Sequence, residues 1–158
     1  MKLPLPVIGL ALLLSACQQD QPTTAAAPAP TELHGQQTAD GTAFTLPTDA
    51  VFGPTDALIK EQATGQLLQL ARAIQQSSGR QLLIRVYADA QGDDNQNLIL
   101  SQRRAQAIAD WLKDHQITLP AELQGLGEAD PIAPNAQPDG TDNPAGREQN
   151  RRMVVIVQ

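Results

Sequence analysis

The sequence predicts an α/β fold in which helices pack on a small mixed sheet of four strands. Two observations predict this fold. Apolar residues recur every three or four positions in two long segments, as in amphipathic helices, and strand-like segments precede, separate and follow them. The resulting order is β-α-β-α-β-β, with a long loop before the last strand. Because strand–helix–strand units join parallel strands by right-handed crossovers, we expect a mixed sheet.

The first strand and the first helix open the predicted domain, which spans residues 43–158. The strand covers 43–52 and ends at Gly53-Pro54, a strong turn signal. The first helix covers 58–76, because one face of a helix drawn over these residues is apolar. That face consists of Ile59, Ala63, Leu67, Leu70, Ala71 and Ile74.

The remaining elements follow from the same two periodicities. In residues 81–88 every second residue is apolar, and these residues share one face of a strand, which predicts a strand with a buried face. The second helix covers 97–115, after a loop whose Asp and Asn residues favour a helix start. A short strand over 122–126, a loop over 128–146 and a closing strand over 153–157 complete the domain.

The composition excludes several classes of protein. The formal net charge is −6, whereas a nucleic-acid-binding protein needs a basic surface, so we expect no nucleic-acid partner. Cys17 is the single cysteine, which rules out a disulfide framework or a thiolate metal cluster within one chain. We find no Ser/His/Asp, Cys/His or paired-carboxylate pattern that suggests catalysis. The sequence therefore predicts a protein that is not an enzyme and holds no cofactor or metal ion.

Residues 1–16 are predicted to be an export signal. A positive start precedes an apolar run that is too short for a membrane-spanning helix, which needs about 20 residues. The run ends in Leu-Ser-Ala-Cys17, which resembles the lipobox of bacterial lipoproteins. This resemblance implies that acyl chains such as palmitate anchor Cys17 in a bilayer. The alternative is an ordinary signal peptide cut after Ala16, which would leave a free thiol.

The segment after Cys17 predicts where the anchor and the domain lie. Gln18 stands where an aspartate would resemble an inner-membrane retention signal, so we expect an anchor in the outer membrane and a domain facing the periplasm. Residues 17–42 form the predicted tether, since they are rich in Pro, Ala, Thr and Gln and have no apolar period. In polyproline geometry, about 25 residues reach roughly 75 Å. Composition alone equally allows a linker with no reach requirement.

The second predicted helix carries a charged residue on its apolar face. Arg104 lies about 40° from Leu100 and about 20° from Trp111 around the helix axis, within the apolar stripe. A buried guanidinium is costly unless a carboxylate or a ligand anion meets it. Asp89, at the end of the preceding strand, is the nearest candidate. Two interpretations stay open: an internal Asp89–Arg104 salt bridge, or a pocket where Asp89 binds the ammonium and Arg104 the carboxylate of one ligand.

Four sequence blocks, in order, carry a family resemblance. They are D-x-x-G starting at Asp89, N-x-x-L-S-x-x-R-A starting at Asn97, G-x-G-E-x-x-P starting at Gly125 and G-R-x-x-N-R-R starting at Gly146. Together they resemble the OmpA-like C-terminal domain over about residues 44–158. The resemblance implies a β/α/β/α/β-β fold that binds peptidoglycan without a covalent bond.

The resemblance also implies a ligand and its contacts. The ligand is the diaminopimelate of the peptidoglycan stem peptide, whose free end carries an amine and a carboxylate. By matching position, Asp89 binds the ammonium and Arg104 binds the carboxylate. Asn97 and Arg151 match secondary contacts in the family.

Two departures from the family pattern stand near these positions. Tyr87-Ala88 replaces the usual His-Thr, so a hydroxyl that supports the site is missing and we expect a reduced affinity. The loop from Asn135 to Gly146 is longer than the common pattern and contains two aspartates. It either reshapes the rim of the pocket or only decorates the surface.

Two functions are consistent with this sequence. The first is an outer-membrane lipoprotein whose domain binds peptidoglycan and tethers the membrane to the cell wall. The second is a periplasmic signalling or interaction lipoprotein that sequesters a protein partner, with wall binding auxiliary. An exposed apolar patch at Phe44, Leu46, Val51 and Phe52 would favour the second function.

Overall fold

The computed structural model describes residues 33–158. The predicted export signal, Cys17 and most of the predicted tether lie outside the described residues. The strands are β1 (Gln36–Thr38), β2 (Gly41–Pro47), β3 (Leu82–Tyr87), β4 (Ala121–Gly127) and β5 (Arg152–Val157). The helices are α1 (Thr48–Val51), α2 (Thr64–Gln76), α3 (Asp94–Asp114) and α4 (Pro144–Asn150), and a 3₁₀ turn (Glu61–Ala63) precedes α2.

The strands form one mixed sheet in the order β1-β2-β5-β3-β4. β3 and β4 are parallel and are joined through α3, as a parallel pair requires a crossover. The other neighbouring pairs are antiparallel. The predicted α/β class is therefore confirmed, with a sheet of five strands instead of four.

The additional strand lies in the predicted tether. β1 and β2 form a hairpin whose turn ends at Asp40-Gly41, and Gly41 has a φ of 133° that favours glycine. Gln37 Nε2 also donates to Thr42 Oγ1 across the hairpin, at 2.9 Å. The predicted boundary at residue 42 is wrong, because a two-residue turn, Ala39-Asp40, joins two pairing segments and extends the sheet towards the N-terminus.

The helices α2 and α3 supply the predicted apolar faces to one core. Leu67, Leu70 and Ile74 of α2 are buried against inward-facing side chains of β3 and β5, together with Ile108 and Leu112 of α3. Burial of a large aliphatic side chain contributes about 1.5–3 kcal/mol, so this cluster is a main source of stability. Within residues 33–158, no helix combines the length and the apolar character needed to cross a membrane.

Three segments differ from their predicted structure. The predicted first helix, 58–76, begins only at Thr64, and the 3₁₀ turn Glu61–Ala63 precedes it. The first strand ends at Pro47 rather than at residue 52, because Thr48–Val51 turns into the short helix α1. The predicted loop 128–146 ends inside α4, which begins at Pro144. Asn143 caps this helix, and its side chain accepts a hydrogen bond from the Gly146 amide at 3.2 Å.

Candidate ligand-binding cleft

A polar cleft of about 880 Å³ lies beyond the carboxyl end of β3. Its walls come from the loop after β3, the first half of α3, the segment 49–60 and the junction of α4 with β5. The four predicted ligand contacts all line this cleft: Asp89, Asn97, Arg104 and Arg151. The location agrees with the rule that ligands of open α/β sheets collect beyond the carboxyl ends of strands.

α3 carries Arg104 into the wall of the cleft, where the residue is only 4% exposed. Its Nε donates to the Asp56 carbonyl at 2.9 Å, and its Nη2 donates to the Gly53 and Pro54 carbonyls at 2.6 and 3.2 Å. The guanidinium carbon lies 5.4 Å from the centroid of the Phe52 ring. Backbone carbonyls of one loop therefore hold this buried cation.

Arg104 and Asp89 do not form a salt bridge with each other, so that interpretation of the sequence is wrong. None of the ion pairs within residues 33–158 includes Arg104. Burial lowers the pKa of Arg104, although the charges of Asp49 and Asp56 oppose this effect. The Nη1 atom of Arg104 makes no hydrogen bond to another described residue. Among residues 33–158, the cation thus has a donor to spare and lacks a carboxylate partner.

Asp89 lies in the loop just after β3 and is 7% exposed. Its Oδ1 accepts a hydrogen bond from the Gln91 amide at 3.0 Å, which closes a local turn. Its Oδ2 accepts from Arg151 Nη1 at 2.5 Å and lies 3.5 Å from Arg147 Nε. Two arginines therefore contact the Asp89 carboxylate, for which the sequence had suggested Arg104 or a ligand ammonium as the partner.

Five charges of alternating sign form what we call the charge cluster: Asp49, Arg151, Asp89, Arg147 and Asp142. Arg151 Nε donates to Asp49 Oδ2 at 2.8 Å, and Arg147 Nη1 pairs with Asp142 Oδ1. Burial lowers the pKa of Arg151, but its hydrogen bonds and charge interactions with Asp49 and Asp89 outweigh burial, so the pKa is raised. Two guanidiniums against three carboxylates leave the charge cluster with a net charge of 2 − 3 = −1.

Asn97 holds the loop that carries Asp89. Its Nδ2 donates to the Asp89 carbonyl at 3.3 Å and to the Gln91 carbonyl at 2.9 Å. Asp93, just before α3, accepts a hydrogen bond from the Gln96 amide at 2.9 Å and caps the helix. Asn97 therefore positions this edge of the cleft, and its predicted contact with a ligand stays a prediction.

Three members of the charge cluster were not expected from the sequence. Arg147 belongs to the Gly-Arg block that carries the family resemblance, so a signal for it was present. Asp49 had no local signal, because it enters the cleft only through the one-turn helix α1. Asp142 lies in the long loop, which therefore reaches the cleft wall through Arg147 instead of only decorating the surface.

Ala88 also lines the cleft, next to Asp89. Its amide donates to the Gly127 carbonyl at 2.6 Å, which continues the β3–β4 pairing past the end of β3. Its methyl group offers no hydrogen bond, as its residue type dictates. Among residues 33–158, no group of three or more His, Cys, Asp or Glu side chains is arranged to hold a metal ion.

Comparison with known sequences identifies a family and several relatives. The sequence model of the OmpA family matches residues 51–144. The outer-membrane lipoprotein YfiB of Pseudomonas aeruginosa is 29% identical, and the alignment covers 98% of this chain and 92% of YfiB. The peptidoglycan-binding protein ArfA of Mycobacterium tuberculosis is 38% identical over 45% of this chain and 20% of ArfA.

Some relatives are much longer than this chain. A Gloeobacter violaceus protein named Photosystem I P700 chlorophyll a apoprotein A2 is 34% identical over 75% of this chain, yet the chain spans only 14% of that protein. Among solved structures, the cell wall anchor of the T6SS from Pseudomonas aeruginosa is similar, with a TM-score of 0.66 and 26% identity. That similarity covers 80% of this chain and 87% of the anchor.

Proposed function

Because this chain belongs to the OmpA family, we propose that it is an outer-membrane lipoprotein that binds peptidoglycan non-covalently and tethers the outer membrane to the cell wall. The names of its relatives support each part of this proposal. YfiB, which aligns with nearly the whole chain, is an outer-membrane lipoprotein. ArfA is a peptidoglycan-binding protein, and the similar solved structure is a cell wall anchor.

The observation that carries the proposal is the unneutralised charge of Arg104. A buried guanidinium that lacks a carboxylate partner is costly, and a ligand carboxylate reaching the cleft would offset that cost. Arg104 Nη1 is the donor left for such a ligand, because Nε and Nη2 are bound to carbonyls. The charge cluster, four of whose five members line the same cleft, carries the opposite net charge.

This arrangement fits a ligand that carries both a carboxylate and an ammonium. The free end of diaminopimelate has these two groups on one carbon. We assign its carboxylate to Arg104 and its ammonium to Asp89, whose carboxylate is the central acid of the charge cluster. Charge-assisted hydrogen bonds of this kind contribute about 1.5–3 kcal/mol each, enough for selective binding without a covalent bond.

The membrane half of the proposal rests on Cys17, in the segment outside the described residues. Acylation of this cysteine would hold the chain on the outer membrane, because each buried CH₂ of an acyl chain contributes about 0.8 kcal/mol. We expect Cys17→Ala to move the protein from the membrane fraction to the soluble periplasmic fraction and to abolish labelling with palmitate. A Cys17→Ala variant that stays in the membrane fraction would contradict the anchor.

Sedimentation with purified sacculi tests the wall-binding half. We expect the full chain in detergent to sediment with sacculi, and Arg104→Gln to bind about 10- to 100-fold more weakly, since one charge-assisted bond is lost. Arg72→Gln is the matched control, because Arg72 is exposed on α2 and does not line the cleft. Melting curves of the three proteins separate loss of binding from loss of fold.

Two results would contradict this proposal. Equal sedimentation of the wild type and a folded Arg104→Gln variant would remove Arg104 from the site. Release of soluble fragments from the sacculi would indicate hydrolysis rather than binding.

The alternative function, sequestration of a protein partner, loses the support that the sequence suggested for it. Phe44, Leu46, Val51 and Phe52 are 3% exposed or less, so they form part of the core and not an exposed patch. The prediction of an apolar docking patch at these four residues is therefore wrong. All four belong to the same core cluster as the buried side chains of α2, α3 and β5.

A further inference from the structure

The long loop between β4 and α4 is ordered by its own hydrogen bonds. The Gln137 amide donates to the Thr141 carbonyl at 2.7 Å, and the Gly140 amide donates to the Gln137 carbonyl at 2.9 Å. Asp139 accepts hydrogen bonds from the amide and the hydroxyl of Thr141, at 3.0 and 2.6 Å. A backbone bridge joins Ala136 to Asp142. These contacts do not use the carboxylate of Asp142, which is free to interact outside the loop.

Asp142 directs its carboxylate to Arg147 in α4. Arg147 is 9% exposed, and its guanidinium lies between Asp142 and Asp89. It lines the cleft, whereas Asp142 does not. Asp142 therefore acts on the cleft through Arg147 and not by direct contact with a ligand.

The charge count shows what this contact does. With Asp142, the charge cluster has three carboxylates and two guanidiniums, and Arg147 shares its charge between Asp142 and Asp89. Without the Asp142 charge, the count becomes 2 − 2 = 0, and Asp89 is the one remaining ion-pair partner of Arg147 within residues 33–158. A ligand ammonium at Asp89 would then compete with Arg147 for the same carboxylate.

We propose that Asp142 is a positioning residue that neutralises Arg147 and so keeps the Asp89 carboxylate available to the ammonium of the ligand. This inference rests on the proposed function, because it concerns the ammonium end of the same cleft. It assigns to the long loop a role in selecting ligands that carry an amine. The loop supplies a charge to a site formed mainly by other elements.

Two synthetic stem peptides that end in diaminopimelate test this role. One has the free side-chain amine, and in the other that amine is acetylated and carries no charge. We expect Asp142→Asn to bind the free-amine peptide about fivefold more weakly than the wild type, which is the effect of one charge removed near a partly solvated site. Binding of the acetylated peptide, which uses only the Arg104 side of the cleft, should not change.

Two further variants make the test specific. Asp139→Asn is the matched control, because Asp139 lies in the same loop and contacts Thr141 but not Arg147, and it should bind both peptides as the wild type does. In an Arg147→Gln background, Asp142→Asn should have no further effect on the free-amine peptide. A loop that merely misfolds would instead change the binding of both peptides together.

The outcomes separate this inference from the proposed function. If the wild type binds neither peptide, the proposed function fails and this inference fails with it. Suppose that the wild type binds the free-amine peptide, that Arg104→Gln does not, and that Asp142→Asn binds it like the wild type. Only this inference is then overturned. Equal losses of both peptides on Asp142→Asn would also overturn it.

Discussion

Arg104 and Arg152 are two buried arginines in similar surroundings and in different parts of the molecule. Arg152 is 8% exposed, stacks 3.6 Å from the Tyr87 ring centroid, and donates to the Asn150 and Asp130 carbonyls at 3.3 and 2.9 Å. Burial lowers the pKa of both arginines, and none of the ion pairs in the described part of the chain includes either of them.

The difference between the two arginines is access to the cleft. Arg152 uses both terminal nitrogens for carbonyls and does not line the cleft, whereas Arg104 lines the cleft and keeps Nη1 free of hydrogen bonds to described residues. Burial and carbonyl contacts alone therefore do not identify a binding arginine. Arg104 has a spare donor on the wall of the cleft and Arg152 does not, so the proposed function assigns ligand binding to Arg104 and a structural role to Arg152.

The largest expected effect is the contrast between Arg152→Gln and Arg104→Gln. Arg152→Gln should lower the free energy of unfolding by about 1–3 kcal/mol, because the buried Asn150 carbonyl and the Asp130 carbonyl lose a charged donor. Its folded fraction should bind sacculi like the wild type, whereas Arg104→Gln should lose most binding. Urea denaturation and sacculus sedimentation measure the two effects.

One result would contradict the proposed difference between Arg104 and Arg152. If Arg152→Gln, assayed at an equal folded fraction, lost sacculus binding as strongly as Arg104→Gln, access to the cleft would not be what separates them. The Arg72→Gln control reports any general effect of removing a positive charge.

A smaller effect is expected for Arg104→Lys, which keeps the charge and loses the planar guanidinium. One ammonium cannot bond to the Gly53 and Asp56 carbonyls and still present a fixed donor to a ligand carboxylate. We expect sacculus binding about three- to tenfold weaker than the wild type, between the wild type and Arg104→Gln, because the charge survives and the geometry does not. If Arg104→Lys bound sacculi as weakly as Arg104→Gln, the positive charge would contribute nothing without the planar guanidinium.

The position of Arg104 was predictable because it depends on local periodicity. The apolar residues of α3 define a buried face, and the 3.6-residue turn places Arg104 on it without knowledge of the rest of the chain. The location of Asp89 at the end of β3, beside the start of α3, follows from the chain order in the same way. The sequence therefore predicted that both residues lie near each other, and in the structure both line the same cleft.

The partners of these two side chains were not predictable from local sequence. Arg104 bonds to carbonyls of Gly53, Pro54 and Asp56, about fifty positions earlier in the chain, which α1 and the following loop bring to α3. Asp89 instead pairs with Arg147 and Arg151, about sixty positions later. Backbone carbonyls carry no residue-type signal, and the pairing of distant charges depends on how the elements dock.

Two missed elements did have local signals. Asp40-Gly41 is a hairpin turn signal that marks β1 and β2 within the predicted tether. Asn143-Pro144 combines a helix-capping residue with a proline suited to the first turn, which marks the start of α4. Both signals lie in segments whose polar composition favours loop or tether, and composition outweighed them in the prediction.

By itself, the sequence determined the α/β class, the two long helices, the buried face that includes Arg104 and the family resemblance, because each depends on a periodicity or a spacing within one segment. Only the tertiary structure decided that Arg104 is held by carbonyls, that Asp89 belongs to a charge cluster with a net charge of −1, and that the long loop contributes Asp142 to it. The physical reason is that packing of the sheet and helices sets which distant polar groups meet, and sequence separation carries little information about that distance.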